Sequence, residues 1–193
     1  TPAVVNGDEI IAPLGKGTLE AFDAKTLESK WSVSDELAGQ AVSPVLCADG
    51  KAYTGFWNGE AKDANFVCVD TATGELLWSY TVKGGFYWAG AAEVGSYVVV
   101  ATDDGENGTK GTSSLLVFKK TYAENEEVKP VSSVELAGCG DARSSITVDG
   151  GKVYFTTKGG YLCSASVNAE SGAISDLKTV SFNAQSLSLI HIS

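Results

Sequence analysis

The feature that most constrains this chain is an internal repeat of about 47 residues. The segments FDAKTLESKW and VDTATGELLW share an aspartate, a threonine and a tryptophan at the same internal spacing. Asp23 and Trp31 of the first segment are each followed 47 positions later by Asp70 and Trp78 of the second. A repeat of this length predicts similar modules that stack and bury their faces against one another.

Short glycine turns separate the apolar runs and predict the content of each module. They occur at Gly7, Gly50, Gly95 and Gly150, and Asn-Gly or Asp-Gly stands at three of them. Such pairs favour type I′ hairpin turns. In the second module, strands are predicted over residues 43–48, 52–56, 66–70 and 76–82. Because no segment sustains a helical period, we expect an all-β fold, a β-propeller of about four four-stranded antiparallel blades. The predicted units are about 1–35, 36–83, 84–135 and 136–183.

The pattern Asp-x-x-Thr-Gly-x-x-x-Trp at residues 70–78 resembles the tryptophan-docking repeat of quinoprotein-like propellers, also called PQQ-like repeats. The docking residues that the resemblance assigns are Asp23, Trp31, Asp70, Thr73, Gly74 and Trp78. The match extends over residues 1–182, with Leu27 in place of the glycine in the first copy and degenerate third and fourth copies. The resemblance implies WD-like blades in a ring of six to eight. We therefore expect part of a larger ring, whose open blade edges could self-associate.

Charge and hydropathy exclude several classes of partner. Lys plus Arg is 14 and Asp plus Glu is 24, so the formal net charge is −10. A chain this acidic should repel nucleic acid and anionic lipid. No apolar run approaches the length of a membrane span, and we expect any signal peptide to lie outside the given sequence, since the residues from Thr1 onward lack the basic-then-apolar pattern. Because the sequence contains no Met, we expect an internal piece of a longer protein.

The segment 187–193 resembles a translated sequencing adapter, so we expect the natural chain to end near residue 186. The alternative is a genuine apolar strand with alternating serines. His191, the only histidine, lies in this segment. Without it the chain has no imidazole for a catalytic triad, a general base or a zinc site.

Cysteines and acidic residues bear on the cofactors that the resemblance implies. The quinone-dependent dehydrogenases of this family use two adjacent cysteines, a calcium ion and a catalytic Asp. The four cysteines are Cys47, Cys68, Cys139 and Cys163, and no two are adjacent or in a Cys-x-x-Cys pair. We expect them to be buried small hydrophobes. The acidic loop 103–108 is expected to be a solvated hairpin tip, with calcium binding as the alternative. No cofactor is therefore expected, and pyrroloquinoline quinone with calcium remains the alternative.

The openings of the innermost strands are the candidate binding face. Aligning the units places residues 39–44, 86–91 and 140–145 together, next to the central channel of a propeller. The candidate residues are Gln40, Ser43, Tyr87, Trp88, Asp141, Arg143 and Ser144. Arg143 is the only arginine, and arginine with aromatic residues is typical of interfaces. The structural alternative is that Arg143 pairs with Asp141 or with a backbone carbonyl of the next blade, and that Trp88 fills the wedge between blades.

The residues favour a non-catalytic binding or scaffold propeller, and the resemblance implies that it is exported and of bacterial type, at the cell surface or in the periplasm. Its channel face would bind a protein, a peptide or a glycan. Two alternatives stay open, a fragment of a quinone-dependent dehydrogenase and a propeller for outer-membrane protein assembly. No catalytic residue or metal ligand is assigned.

Overall fold

The structure, a computed structural model, describes residues 3–106 and 108–182, and every regular element in those ranges is a β-strand. The predictions made for the segment 187–193 and for His191 lie outside the described residues. Among the described residues, no helix has the length and hydropathy of a membrane span.

The strands form four antiparallel sheets of four, and strands that follow one another in sequence are neighbours in each sheet. Blade 1 contains β1 (Val4–Asn6), β2 (Glu9–Leu14), β3 (Thr18–Asp23) and β4 (Ser29–Ser34). Blade 2 contains β5 (Leu46–Ala48), β6 (Lys51–Gly55), β7 (Asp63–Asp70) and β8 (Leu76–Lys83). Blade 3 contains β9 (Ala92–Val94), β10 (Tyr97–Ala101), β11 (Ser113–Lys119) and β12 (Ser132–Leu136). Blade 4 contains β13 (Thr147–Asp149), β14 (Lys152–Thr156), β15 (Tyr161–Val167) and β16 (Ile174–Ser181). The predicted all-β fold with four four-stranded blades is confirmed.

The first strand of a blade is shorter than the sequence predicts. In blade 2 it begins at Leu46, three residues later than expected. Pro44 has no N–H to give to a ladder, and the buried Ser43 hydroxyl donates a hydrogen bond to the Phe86 carbonyl of the next blade. The segment before the strand is therefore fixed between blades instead of within one.

Neighbouring blades share apolar layers. Strand β1 contacts β5, and β9 contacts β13, so the first strands of the blades lie side by side along the arc. Three clusters of buried side chains fill the spaces between blades 1 and 2, 2 and 3, and 3 and 4. A single four-stranded sheet cannot cover both of its faces, so the stacking of blades supplies the core.

The turn after the third strand is built the same way in the blades that carry the repeat. Asp23 and Asp70 each accept hydrogen bonds from two backbone N–H groups, of Lys25 and Thr26 in the first turn and of Ala72 and Thr73 in the second. The N–H groups of Thr26 and Thr73 hold the pKa of these two carboxyls below the ordinary value.

The left-handed residue of this turn is the position that the sequence marks as glycine. Gly74 has φ +76°, and Leu27 adopts φ +59° at the same place in blade 1. The degenerate fourth copy keeps the geometry, because Asn168 accepts the two equivalent N–H bonds and Gly172 has φ +71°. The turn therefore persists where its aspartate and tryptophan do not.

The tryptophan of one blade docks on the turn of the next. Trp31 donates Nε1–H to the Thr71 carbonyl at 2.7 Å. Its indole covers Gly74 so closely that a Cβ there would lie 2.8 Å from the ring. Only a residue without a side chain leaves room for the indole at this point.

The later junctions keep an aromatic contact with different partners. Trp78 donates Nε1–H to the Lys120 carbonyl at 3.4 Å and packs edge-on against Tyr122. At the third junction Tyr97 covers Gly172, and its hydroxyl donates to the Glu170 carbonyl at 2.9 Å. Blade docking thus survives the loss of the tryptophan in the third copy.

Two glycine substitutions separate docking from backbone strain. Gly50→Ala places a Cβ in open space at φ +71°, so we expect it to cost about 1–2 kcal/mol from the left-handed backbone alone. Gly74→Ala carries the same strain and also strikes Trp31, so it should cost about 1–3 kcal/mol more. Urea unfolding of both variants measures the difference, and equal losses would contradict the docking contact.

Candidate functional site

A cleft of about 310 Å³ opens where the entries to blades 3 and 4 meet. We call it the Trp88 cleft, and its lining residues are Trp88, Arg143, Thr156, Thr157 and Lys158. The first two belong to the segments that lead into the innermost strands, Thr156 ends β14, and Thr157 and Lys158 lie in the turn between β14 and β15. The cleft therefore forms at a predicted strand opening, on the side where the blades converge.

Trp88 is held on the surface by an unusual backbone. It has φ +60° and remains 53% exposed, the most exposed aromatic ring among the large hydrophobic side chains described. Left-handed backbone is uncommon for a bulky residue, and strain of this kind is concentrated at functional sites. The expectation that Trp88 fills the wedge between blades is wrong. Phe86, which is fully buried against Phe66 and Gly55, takes that place.

A stack of planar groups supports the indole from one side. The Arg143 guanidinium carbon lies 4.6 Å from the centre of the Tyr87 ring, and that ring lies 4.5 Å from the indole of Trp88. Trp57 contacts Tyr87 edge-on at 4.9 Å. Cation–π and tilted aromatic contacts at these distances are favourable, so the exposed indole rests on a fixed base.

Arg143 is itself anchored by carboxylates from three blades. Its Nη2 lies 2.8 Å from Asp141, 3.3 Å from Asp103 and 3.6 Å from Glu60. The Asp141 and Asp103 side chains are fully buried. The Lys158 ammonium lies 3.8 Å from the same Asp141 oxygen. The structural pairing of Arg143 with Asp141, one of the two alternatives, is therefore present, and it also orients the arginine beneath Tyr87.

Burial changes the acidity of this cluster. Desolvation, with a smaller contribution from the nearby Asp141 charge, raises the pKa of Asp103 to about 8. Desolvation, followed by the side-chain interaction with Asp104, raises the pKa of Asp141 to about 6. The Arg143 charge opposes both shifts but does not cancel them. The cluster therefore changes its protonation across the physiological pH range.

Three other predicted binding residues connect segments of the chain through hydrogen bonds. Gln40 exchanges backbone hydrogen bonds with Trp57, and Ser43 is buried under Phe86. The hydroxyl of Ser144 accepts the Thr156 N–H at 2.9 Å. These three residues are not among those that line the Trp88 cleft, and their part in binding stays a prediction.

Sequence reasoning missed six residues of the site: Trp57, Glu60, Asp103, Thr156, Thr157 and Lys158. The expectation that residues 103–108 form a solvated tip is wrong for Asp103, whose side chain is buried beneath Arg143. The missed signal is the apolar run 97–101 that ends two residues before it. Because Asp103 follows a buried strand so closely, its side chain lies inside the junction between the blades. Asn107 of this loop lies outside the described residues.

The described residues do not fit the quinone and calcium site that the resemblance implies. Residues 3–106 and 108–182 contain no group of three or more His, Cys, Asp or Glu placed to hold a metal ion. All four cysteines are free thiols; three are buried and Cys47 is half-buried. Desolvation raises the pKa of Cys68 and of Cys163 to about 12, so both remain protonated. Burial as small hydrophobes is thus confirmed for three of the four.

Comparisons with known proteins agree with the repeat. A protein-family model described as "Outer membrane protein assembly factor BamB" matches residues 1–84. The dehydrogenase subunit of a quinone alcohol dehydrogenase from Gluconobacter oxydans is 30% identical over 87 residues, 42% of this chain and 11% of that protein.

Solved structures agree with the fold. BamB from Moraxella catarrhalis superposes with a TM-score of 0.61 at 20% identity, over 91% of this chain and 50% of that one. The WD40 domain of coronin from Toxoplasma gondii gives 0.66 at 13% identity, over 94% and 45%. The fold is a β-propeller, and the family match over residues 1–84 and the dehydrogenase relative support PQQ-like repeats in the part of the chain that they cover. The chain spans half or less of the length of each of these relatives.

The raised pKa of Asp103 predicts a pH dependence of stability. Folded Asp103 keeps its proton to about pH 8, whereas the unfolded side chain loses it near pH 4. The proton on Asp103 therefore contributes its full stabilisation of the folded protein below about pH 4, and this contribution is lost as the pH rises toward 8. Asp103→Asn should reduce the fall in Tm between pH 5 and pH 8. Asp141 shifts in the same direction, so part of the fall should remain.

Asp149→Asn, at an exposed turn of blade 4, is the control for this measurement. It should leave the pH profile of Tm unchanged. A profile that is the same in the Asp103 variant as in the wild type would contradict the assignment.

The strained backbone at Trp88 predicts an order of stability between two variants. Trp88→Ala and Trp88→Gly both remove the indole, but only glycine adopts φ +60° without steric cost. The glycine variant should therefore be about 1 kcal/mol more stable than the alanine variant, as measured by urea unfolding. The opposite order would contradict a left-handed backbone at residue 88.

Proposed function

We propose that this chain is a non-catalytic binding propeller that works outside the cytoplasm, at the cell surface or in the periplasm, and presents the Trp88 cleft to a ligand. The observation that carries the proposal is the exposed indole of Trp88, held in a strained backbone on the Tyr87–Arg143 stack. A strained backbone and an exposed aromatic side chain each cost folding stability, and packing alone does not explain why both occur at one residue.

The partners of the polar groups around the cleft also favour binding over catalysis. Arg143 is held by carboxylates, and the Thr157 hydroxyl donates to the Cys139 carbonyl at 2.5 Å. Catalysis by a nucleophile needs a hydroxyl or thiol in contact with a base. Among the described residues that line the cleft, the hydrogen bonds instead fix the shape of a surface.

Two other functions have an observation in their favour. The identity with the Gluconobacter oxydans dehydrogenase subunit supports a quinone-dependent dehydrogenase, of which this chain would be a part. The family match over residues 1–84 supports outer-membrane protein assembly, a specific case of a binding propeller. Binding remains the proposal because the described residues do not supply the adjacent cysteines and the metal ligands.

A titration separates binding from the dehydrogenase function. The protein is mixed with pyrroloquinoline quinone and Ca²⁺, and tryptophan fluorescence and dye-linked alcohol oxidation are recorded. We expect no saturable quenching and no turnover. Saturable quenching together with turnover would overturn the non-catalytic proposal.

A binding screen tests the cleft itself. Wild type and Trp88→Gly are applied to the same peptide and glycan arrays. Ligands retained by the wild type should be lost from the variant, while Lys129→Met, at an exposed lysine of the loop before β12, should bind as the wild type does. Binding that does not change in Trp88→Gly would exclude the Trp88 cleft.

A further inference from the structure

We propose that the Trp88 cleft binds a saccharide that carries a carboxylate, a uronic acid residue. The sugar ring would lie on the exposed face of the Trp88 indole, and its carboxylate would pair with the Lys158 ammonium. This inference rests on the proposed binding function and names the class of ligand for that site.

The size of the cleft favours a single ring. A volume of about 310 Å³ lies at the lower end of the range for ligand pockets, roughly 300–1,000 Å³. Apart from Trp88, the lining side chains are two cations and two threonines. Such a cleft offers one flat apolar surface and a polar rim, and no second apolar pocket for the anchoring side chain of a peptide.

The chemistry of the indole face matches a sugar ring. An aromatic face is negative at its centre, and the C–H bonds on one face of a pyranose present partially positive hydrogens to it. The support from Tyr87 and Arg143 keeps the indole from turning away. Little conformational freedom is therefore lost when a ring settles on Trp88, and a rigid aromatic platform suits weak ligands for this reason.

The exposed charge at the cleft is positive although the cluster beneath it is acidic. The Asp103 and Asp141 side chains have no solvent exposure, whereas those of Arg143 and Lys158 are 16% and 31% exposed. The Glu60 side chain is 33% exposed and lies 3.6 Å from Arg143, but it is not among the residues that line the cleft, so the charged groups in the lining are the two cations.

Of the two cations, Lys158 is the better partner for a ligand. Arg143 is held at 2.8 Å from Asp141, while Lys158 lies 3.8 Å from the same oxygen on a flexible stem. Lys158 also acts on the Asp104 carboxyl, whose pKa its charge helps to lower, so a ligand carboxylate would share the ammonium with Asp104 and Asp141 and leave the stack below Trp88 in place. Arg143 is a positioning residue in this arrangement.

A pair of sugars that differ only in the carboxylate tests the inference. Methyl β-D-glucuronide and methyl β-D-glucoside are titrated into the labelled protein, and the indole N–H signal of Trp88 is followed by NMR. We expect saturable shifts with the glucuronide, and binding of the glucoside about fivefold weaker, the size of one exposed charge pair. The preference should decline as salt is added.

Three variants assign the two contacts. Trp88→Gly removes the indole reporter, so binding to it is followed by the backbone amide signals of Thr157 and Lys158, which should not shift with either sugar, and thermal unfolding should show that the variant remains folded. Lys158→Met should bind both sugars with the affinity of the wild type for the glucoside. Lys129→Met, which removes an exposed lysine outside the cleft, should behave as the wild type does.

The outcomes separate the inference from the proposed function. Equal binding of the two sugars, or a preference that survives in Lys158→Met, overturns the carboxylate contact. If neither sugar shifts Trp88 but an array peptide or another ligand binds in a Trp88-dependent way, the inference fails and the binding function stands. If no ligand depends on Trp88, both fail.

Discussion

The structure depends on the docking of an aromatic side chain from one blade onto the connection that follows the third strand of the next, which carries a glycine at the first and third junctions. Trp31 gives its Nε1–H to the Thr71 carbonyl and lays its indole on Gly74, so one side chain supplies both a hydrogen bond and apolar contact. A twisted four-stranded sheet cannot bury its faces alone. This contact sets the distance between blades, and the apolar layers fill the space that it defines.

Docking tolerates sequence changes because it requires only that an aromatic ring contacts the turn, and different residues can supply the ring and the turn. At the third junction Tyr97 takes the role of the tryptophan, and Gly172 provides the same bare backbone. Asn168 replaces the turn aspartate because its side-chain oxygen accepts the same two N–H bonds. The repeat is therefore more regular in geometry than in sequence, which explains why its later copies are degenerate.

The Trp88 cleft and the blade junctions differ in which residue has the left-handed backbone. At the first and third junctions an aromatic ring covers a left-handed glycine, whereas at the cleft the aromatic residue itself is left-handed and exposed. The support comes from buried charges, since Asp141 and Asp103 hold Arg143 and Arg143 holds Tyr87. Backbone strain at Trp88 is thus accompanied by favourable contacts in the layer beneath it.

The sequence by itself determined the blades, because hairpin turns, alternating strands and the docking motif are local patterns. It also placed Tyr87, Trp88, Asp141 and Arg143 at strand openings. Only the tertiary structure decided that Trp88 faces solvent while Phe86 fills the wedge, and that Asp103, Glu60 and Lys158 join Arg143. Phe86 and Trp88 are both aromatic and lie two positions apart, so the backbone conformation decides which of them is buried. Glu60, Asp103 and Arg143 come from three blades, so they meet only after the blades stack.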